Sequence, residues 1–458
     1  MSIVSQQPTR EVPPDNRLSF TDQAMFLGLR ATGQESVMQA IWIYQRAVDL
    51  DGLRRFHQNF GYGLYGRLIE RSPLPFGRHR WVSATGPQTE LGIGEDVRPR
   101  AELSDWADER VQLPIDPESG PGWHLSAQRF DDGATAISLV GSHCLADGGG
   151  ALLTIADAAN GHRRDPGCPP ARSRRRLRAV LADTGDTARG LPEVARALAS
   201  AGRFALRRRT DIARSGPSPQ GMSGAGVNRK VVLPAATVVV DVGDWDARAA
   251  ALGGTTYSLV AAFAAKIAER VGRRRAEDGA VTLLLPISER TLGDTRANAV
   301  SLGQIRVYPS GVTEDLSGVR ADIKSAIRTM REAPDEALAM LPLIPFVPRR
   351  AVKRGANVMF GFADLPVSCS NVGDLDPAVG RPDGTDADFV ILRGVDRHVT
   401  QDVLEHRHGL LTVVACRIGG KVTLDVVAYQ LGAANSKPWV RELAEQTLAQ
   451  FGLSGTVI

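Results

Sequence analysis

Residues 141–150 read GSHCLADGGG, which places one histidine four positions before an aspartate, with three glycines after it. An unperturbed imidazole suits removal of a proton from a hydroxyl or an amine at neutral pH. The nucleophile so formed attacks an activated acyl carbonyl directly and needs no serine or cysteine intermediary. None is presented, because the chain has no G-x-S-x-G turn. The competing reading of His143 is a core histidine without chemical duty. Its position supports chemistry: it closes the apolar run ATAISLVGSH (134–143), which predicts a rigid buried strand. The glycines from Gly148 onward let the chain turn and a substrate approach closely. Asp147 sits where strand gives way to helix, a position from which it can tie the loop down.

Other chemical patterns are weaker. GYGLYG (61–66) matches G-x-G-x-x-G in letters, but a predicted helix precedes it where a dinucleotide site requires a strand. EHRH (405–408) puts His406 and His408 on one face if extended, yet no spacing nominates a third ligand, so no metal site is expected. The four cysteines, Cys144, Cys168, Cys369 and Cys416, form no CxxC and indicate neither a disulfide framework nor a zinc knuckle.

The elements that must position these residues follow from periodicity and punctuation. LSFTDQAMFL (18–27), DLDGLRRFHQNF (49–60) and ALLTIADAANG (151–161) predict helices, and SVMQAIWIYQ (36–45) predicts a strand. WHLSAQRF (123–130) and the strand ending at His143 are joined by DDG, a hairpin signal. Further on, strands are expected at 236–245, at 280–288 ending near Pro286, and at 410–419 pairing with 422–430. Helices are expected at 255–274, 315–333 and 437–451. Each half mixes helices with strands, which predicts a mixed α/β fold in three parts: an N-terminal lobe at 1–170, a basic connector at 171–230 and a C-terminal lobe at 231–458.

The connector carries the charge asymmetry. Between Arg172 and Arg214 twelve arginines face four acids, about +8 in a chain of net charge +4. Phe204 is the only aromatic there and no recognition module is visible, so nucleic acid is not expected as a partner. A solvated linker, an acidic membrane surface, an acidic carrier protein and a phosphate-bearing cofactor remain open. ALAMLPLIPFVPRRAVKR (337–354) is a second basic–apolar patch, lipid-facing or packed in the core. The N-terminus lacks the basic and apolar regions of a signal peptide, and no run of about 18 apolar residues exists. A cytoplasmic setting is the expectation, with peripheral membrane contact left open.

The stretch LPIDPESGPGWHLSAQRFDDGATAISLVGSHCLADGGG (113–150) resembles the CoA-dependent acyltransferase superfamily, with Pro121, Trp123, the hairpin and HxxxDG in order. That group includes chloramphenicol acetyltransferase, condensation domains, polyketide-associated acyltransferases and wax ester synthase/diacylglycerol acyltransferases; the last two branches look nearest. LSFTDQAMFL resembles their opening helix, LLLPISERTLGDTRANAVS (283–301) their second-half strand, and PVSCSNVGDLDP (366–377) a Ser-Asn segment near the active site. The resemblance implies two chloramphenicol-acetyltransferase-like lobes with the site in a tunnel between them. It implies His143 as general base, Asp147 as the acid that holds the loop through an arginine, with Arg290 the candidate, and Gly148 as the motif glycine. Ser370 and Asn371 match polar groups near the reacting carbonyl. The donor would be an acyl-CoA or acyl-carrier-protein thioester, with no bound cofactor. The acceptor would be a hydroxyl of a lipid or specialised metabolite. Amide formation with an amine, or a non-catalytic relative that binds lipid or a partner, are the alternatives. The chain departs from the pattern at Ser142, where many relatives carry a first histidine, and at NVGDLDP, and it lacks the DFGWG segment.

Overall fold

The computed structural model describes residues 15–207, 229–291, 293–332, 338–348 and 365–458; the basic residues 208–214 and 349–354 lie outside them. Helix α1 (Phe20–Thr32), strand β1 (Glu35–Tyr44) and helix α2 (Leu50–Phe60) open the fold. Each helix is started by a short polar side chain: Ser19 accepts from the Asp22 N–H, and Asp49 from the Asp51 N–H. The segment 61–66 holds a 3₁₀ turn (Gly63–Tyr65) between α2 and strand β2 (Arg67–Glu70), so the strand-then-helix context of a dinucleotide loop is absent there. Strand β2 pairs with β3 (Arg80–Ser83) as a ribbon.

Strands β4 (Gly92–Ile93), β5 (Trp123–Arg129) and β6 (Thr135–Ser142), with helix α3 (Leu103–Val111), build the first sheet around β1. The DDG hairpin forms as the sequence predicts: Gly133 takes φ +84°, which a glycine adopts without strain, and the Ala134 N–H donates to Asp132. Strand β6 is hydrogen-bonded on both sides, to β1 and to β5, and all eight of its residues are buried. A strand enclosed on both edges and both faces is a rigid mount for the residue that follows it. Its Gly141 is obligatory, since a Cβ there would lie 2.5 Å from the Tyr65 ring.

Helix α4 (Gly148–Ala159) starts three residues earlier than the sequence predicts, because Asp147 caps it and draws all three glycines into its first turn. One helix of 32 residues, α5 (Arg176–Arg207), then occupies most of the connector, with Pro192 inside it.

The second sheet is built from β7 (Ala235–Asp241), β8 (Val281–Ser288), β9 (Val300–Val307), β10 (Val367–Asp374), β12 (Leu410–Ile418), β13 (Lys421–Tyr429) and β14 (Thr456–Val457), in the order β14-β7-β13-β12-β10-β8-β9. The strand expected to reach residue 245 ends at Asp241, whose side chain accepts from the Gly243 and Asp244 N–H groups and starts helix α6 (Val242–Ala251). That cap outweighs the β preference of the valines before it. Pro286 does not end β8, which runs on to Ser288. Pairing with β10 covers only Leu283 and Leu284, and the strand continues past Pro286 on its pairing with β9, where Pro286 lies opposite Leu302.

Helix α7 (Thr256–Arg270) lies under this sheet with Leu259–Ala265 completely buried, its start fixed by a capping box of Thr255 and Ser258. Helices α8 (Ser317–Glu332) and α10 (Lys437–Gln450) complete that layer. Residues 338–346 form 3₁₀ turns. Among the described residues no single helix is long and apolar enough to cross a membrane.

Strand β11 (Phe389–Arg397) breaks the division by sequence halves. It pairs antiparallel with β1 over nine residues and forms the edge of the first sheet. Its Arg393 binds Gln39 and Asp108 of the first lobe, at 2.6 Å each. It also faces Asp425 of β13, a fully buried carboxyl bonded to the Thr237 hydroxyl at 2.8 Å. Burial pushes Asp425 up to about 6, against the attraction of Arg393 and the Thr237 hydroxyl. The folded state therefore holds this proton more tightly than the unfolded chain does, and stability falls as pH rises from about 4 to about 6. Asp425→Asn should be more stable than wild type at pH 7, with the gain shrinking towards pH 4; urea unfolding across that range measures it. Gly141→Ala should cost at least about 2 kcal/mol by the same assay, because the Tyr65 ring must move.

Candidate active site

His143 is the first residue after β6. Its backbone is gripped on both sides: its N–H donates to Ser36 O at 3.1 Å, and its carbonyl accepts from Asn298 Nδ2 at 3.4 Å. The ring is half-buried, and Nδ1 is enclosed without a hydrogen-bond partner among the described residues.

Asp147 faces away from this ring. Its Oδ1 accepts from the Gly150 N–H at 2.7 Å and from Arg290 Nη2 at 2.8 Å, and its Oδ2 accepts from the Ala299 N–H at 2.7 Å. Its own N–H donates to Ala297 O. Arg290 is almost as enclosed and spends its guanidinium on Asp147 and on the carbonyls of Asp294, Arg296 and Ala297. A carboxylate so placed is a helix cap and ion-pair anchor at once. It joins the first-lobe loop to residues 290–299, which run between β8 and β9 of the second sheet.

The glycines take parts the sequence does not distinguish. A Cβ on Gly148 would meet open space. One on Gly150 would strike Leu64 at 2.6 Å and approach Arg290 Nη2 at 3.1 Å. The close approach expected of this glycine cluster is therefore, at Gly150, an approach of protein to protein.

Three further buried residues carry no motif signal, and two of them, Asp22 and Arg67, hold the same joint. Asp22, in the first turn of α1, is fully buried and accepts from the Asn298 N–H at 2.8 Å, Asn298 Nδ2 at 3.0 Å and the Ala297 N–H at 3.2 Å. Arg67, also fully buried, donates to Leu145 O and Thr295 O and stacks its guanidinium 3.8 Å from the centre of the Trp81 ring. Burial draws its proton affinity down, to about 10. Glu35 is buried with Arg397 3.5 Å away; burial pushes its carboxyl above the ordinary range against the attraction of Arg397. Ser142, where the chain departs from the expected first histidine, is buried and its hydroxyl accepts from the Cys144 N–H at 3.3 Å.

Ser370 and Asn371 lie on β10 of the second sheet, and neither side chain is bonded to His143 or Asp147. Strand alternation separates them. Asn371 shares a row with Ala415, a core residue, while Ser370 sits beside Val414 on the opposite face. Asn371 Oδ1 accepts from the Gly373 N–H within a β-bulge, so that side chain serves the local backbone. His406 ends the short helix α9 (Gln401–His406) and His408 takes φ +51°, so the extended geometry that would align the two is not formed. Among the described residues no group of three His, Cys, Asp or Glu is placed to hold a metal.

No family model matches the chain and no curated protein matches it in sequence. Solved structures do match in shape. The first condensation domain of the CDA synthetase superposes with a TM-score of 0.56 at 13% identity, over 98% of this chain and 100% of that one. The wax ester synthase/diacylglycerol acyltransferase from Marinobacter aquaeolei VT8 superposes with a TM-score of 0.55 at 15% identity, over 95% and 98%. The chain therefore shares the two-lobed α/β fold of these two structures.

The Asp147–Arg290 pair is buried at both ends, so removing one partner leaves an uncompensated charge. Arg290→Met should destabilise the protein by about 3 kcal/mol. Adding Asp147→Asn should recover part of that loss, which a double-mutant cycle of guanidinium unfolding reads directly.

Proposed function

We propose that this chain is an acyltransferase that moves an acyl group from a thioester, of CoA or of a carrier protein, to a hydroxyl of a lipid or specialised metabolite. The observation that carries the reading is the division of labour in the HxxxDG loop. Every oxygen of Asp147 is committed to Arg290 or to backbone N–H groups, while among the described residues no hydrogen bond reaches the His143 ring. The loop thus presents a lone imidazole and no His–Asp relay. Nδ1 is enclosed, which leaves Nε2 as the nitrogen a substrate reaches.

In the proposed reaction His143 takes the hydroxyl proton as the oxygen attacks the thioester carbonyl. The tetrahedral oxyanion collapses, the C–S bond breaks, and the departing thiolate receives the proton from the imidazolium. Ser370, whose side chain has no hydrogen bond among the described residues, is the polar group available to the oxyanion or acceptor; Asn371 is occupied by its bulge. Arg290 and Asp147 hold the loop and do not touch substrate. Donor and acceptor are substrates, and the chemistry calls on no resident cofactor. The likeness to a condensation domain supports a second reading with an amine as acceptor.

The test is a free-thiol assay with acyl-CoA and acyl-carrier-protein donors, each offered long-chain alcohols and amines. Thiol release that depends on an alcohol is expected, and dependence on an amine selects the second reading. His143→Ala should lower the rate by about 10²-fold or more with the fold intact. Full activity in that variant would falsify the mechanism.

A further inference from the structure

We infer that helix α5 is a docking surface for an anionic lipid membrane. Leu177, Leu181, Leu191 and Leu198 are 80, 73, 55 and 60% exposed, and among the described residues none of the other exposed large apolar side chains exceeds 56%. With Thr184, Ala188 and Ala195, all exposed, they recur at alternating spacings of four and three. Gly185, Pro192 and Ala199 widen the same face, which then spans about 140° of the helix at 3.6 residues per turn. The back of the helix, at Ala179, Asp183 and Ala197, is buried against the protein. Asp183 fixes it there through Arg80 and Arg174.

Charge identifies the occupant. Arg189, Arg196 and Arg203, seven residues apart, line one edge of the apolar face, and Arg175, Arg176 and Arg178 crowd its N-terminal end. Among the described residues only Arg189 of these six has a carboxylate within 4 Å, the neighbouring Asp186. An exposed apolar sector bordered by arginines is the arrangement of a helix that lies in the headgroup layer of an anionic bilayer. The arginine stems run along the apolar boundary and their heads meet lipid phosphates. A coiled-coil partner fits less well. It needs a narrow seam flanked by pairable charges, and Gly185, Pro192 and Ala199 hold those flanking positions here. A second copy of the chain would bring two arginine rows together.

The apolar area continues beside the helix. Residues 338–346 pack against α5, and their Phe346 stacks on Phe76 with ring centres 6.0 Å apart, each ring about 40% exposed.

The surface is tested with the full chain and vesicles of phosphatidylcholine with or without phosphatidylglycerol, read by co-sedimentation. Binding is expected on the phosphatidylglycerol vesicles only, and it should weaken as salt rises. Leu181→Glu/Leu191→Glu should weaken it at least about tenfold, as should Arg189→Gln/Arg196→Gln/Arg203→Gln. Leu302→Glu, an exposed leucine on β9, should leave it unchanged. Circular dichroism confirms that each variant is folded. Absence of binding by the folded wild-type chain overturns the inference, as does binding unaffected by the leucine pair. A dimer in sedimentation velocity that the leucine pair dissolves assigns the face to a second copy and overturns it equally. The result is independent of thiol release, so it stands or falls apart from the proposed acyl transfer.

Discussion

The carboxylate of Asp147 accepts three hydrogen bonds, and each belongs to a different part of the architecture. The Gly150 N–H starts α4, the Arg290 guanidinium comes from the segment after β8, and the Ala299 N–H opens onto β9. A buried carboxylate is tolerable only when so satisfied. The same requirement makes it a clamp, because no one donor can leave without stranding a charge. The position of His143 depends on this clamp. The strand before it is fixed by pairing on both edges, and the loop after it is fixed by Asp147.

Much of the fold is legible in the sequence because local signals and burial agree. The DDG turn, the polar caps before α1 and α2 and the apolar run of α7 each specify one outcome. The sequence misleads where a single polar side chain outvotes its neighbours. Asp241 converts the end of a valine-rich strand into a helix start, and Asp147 brings three glycines into a helix that periodicity would begin later. Strand β11 is a different failure: nothing local marks that residues 389–397 pair with 35–43, since register across such a distance is a tertiary property.

The candidate site is legible to the extent that it is contiguous. His143, Asp147 and the three glycines fall within eight residues and announce themselves by spacing. Arg290 is 143 positions from Asp147, and only the family resemblance singles it out. Asp22, Arg67 and Glu35 carry no motif; each is an ordinary charged residue until burial reveals its partners. Ser370 and Asn371 are a different case. Adjacent polar residues look like one constellation in sequence, but a strand sends them to opposite faces.

The pairing of β1 with β11 has a consequence for synthesis on the ribosome. The outer edge of β1 is complete only when residues 389–397 have been made. At about 5–20 residues per second, the wait is on the order of 20–70 seconds. Throughout that interval a long apolar strand, from Glu35 to Tyr44, offers an open row of backbone donors and acceptors to any neighbouring chain. The nascent protein must be shielded over that edge, and a product truncated before residue 389 carries the exposure permanently.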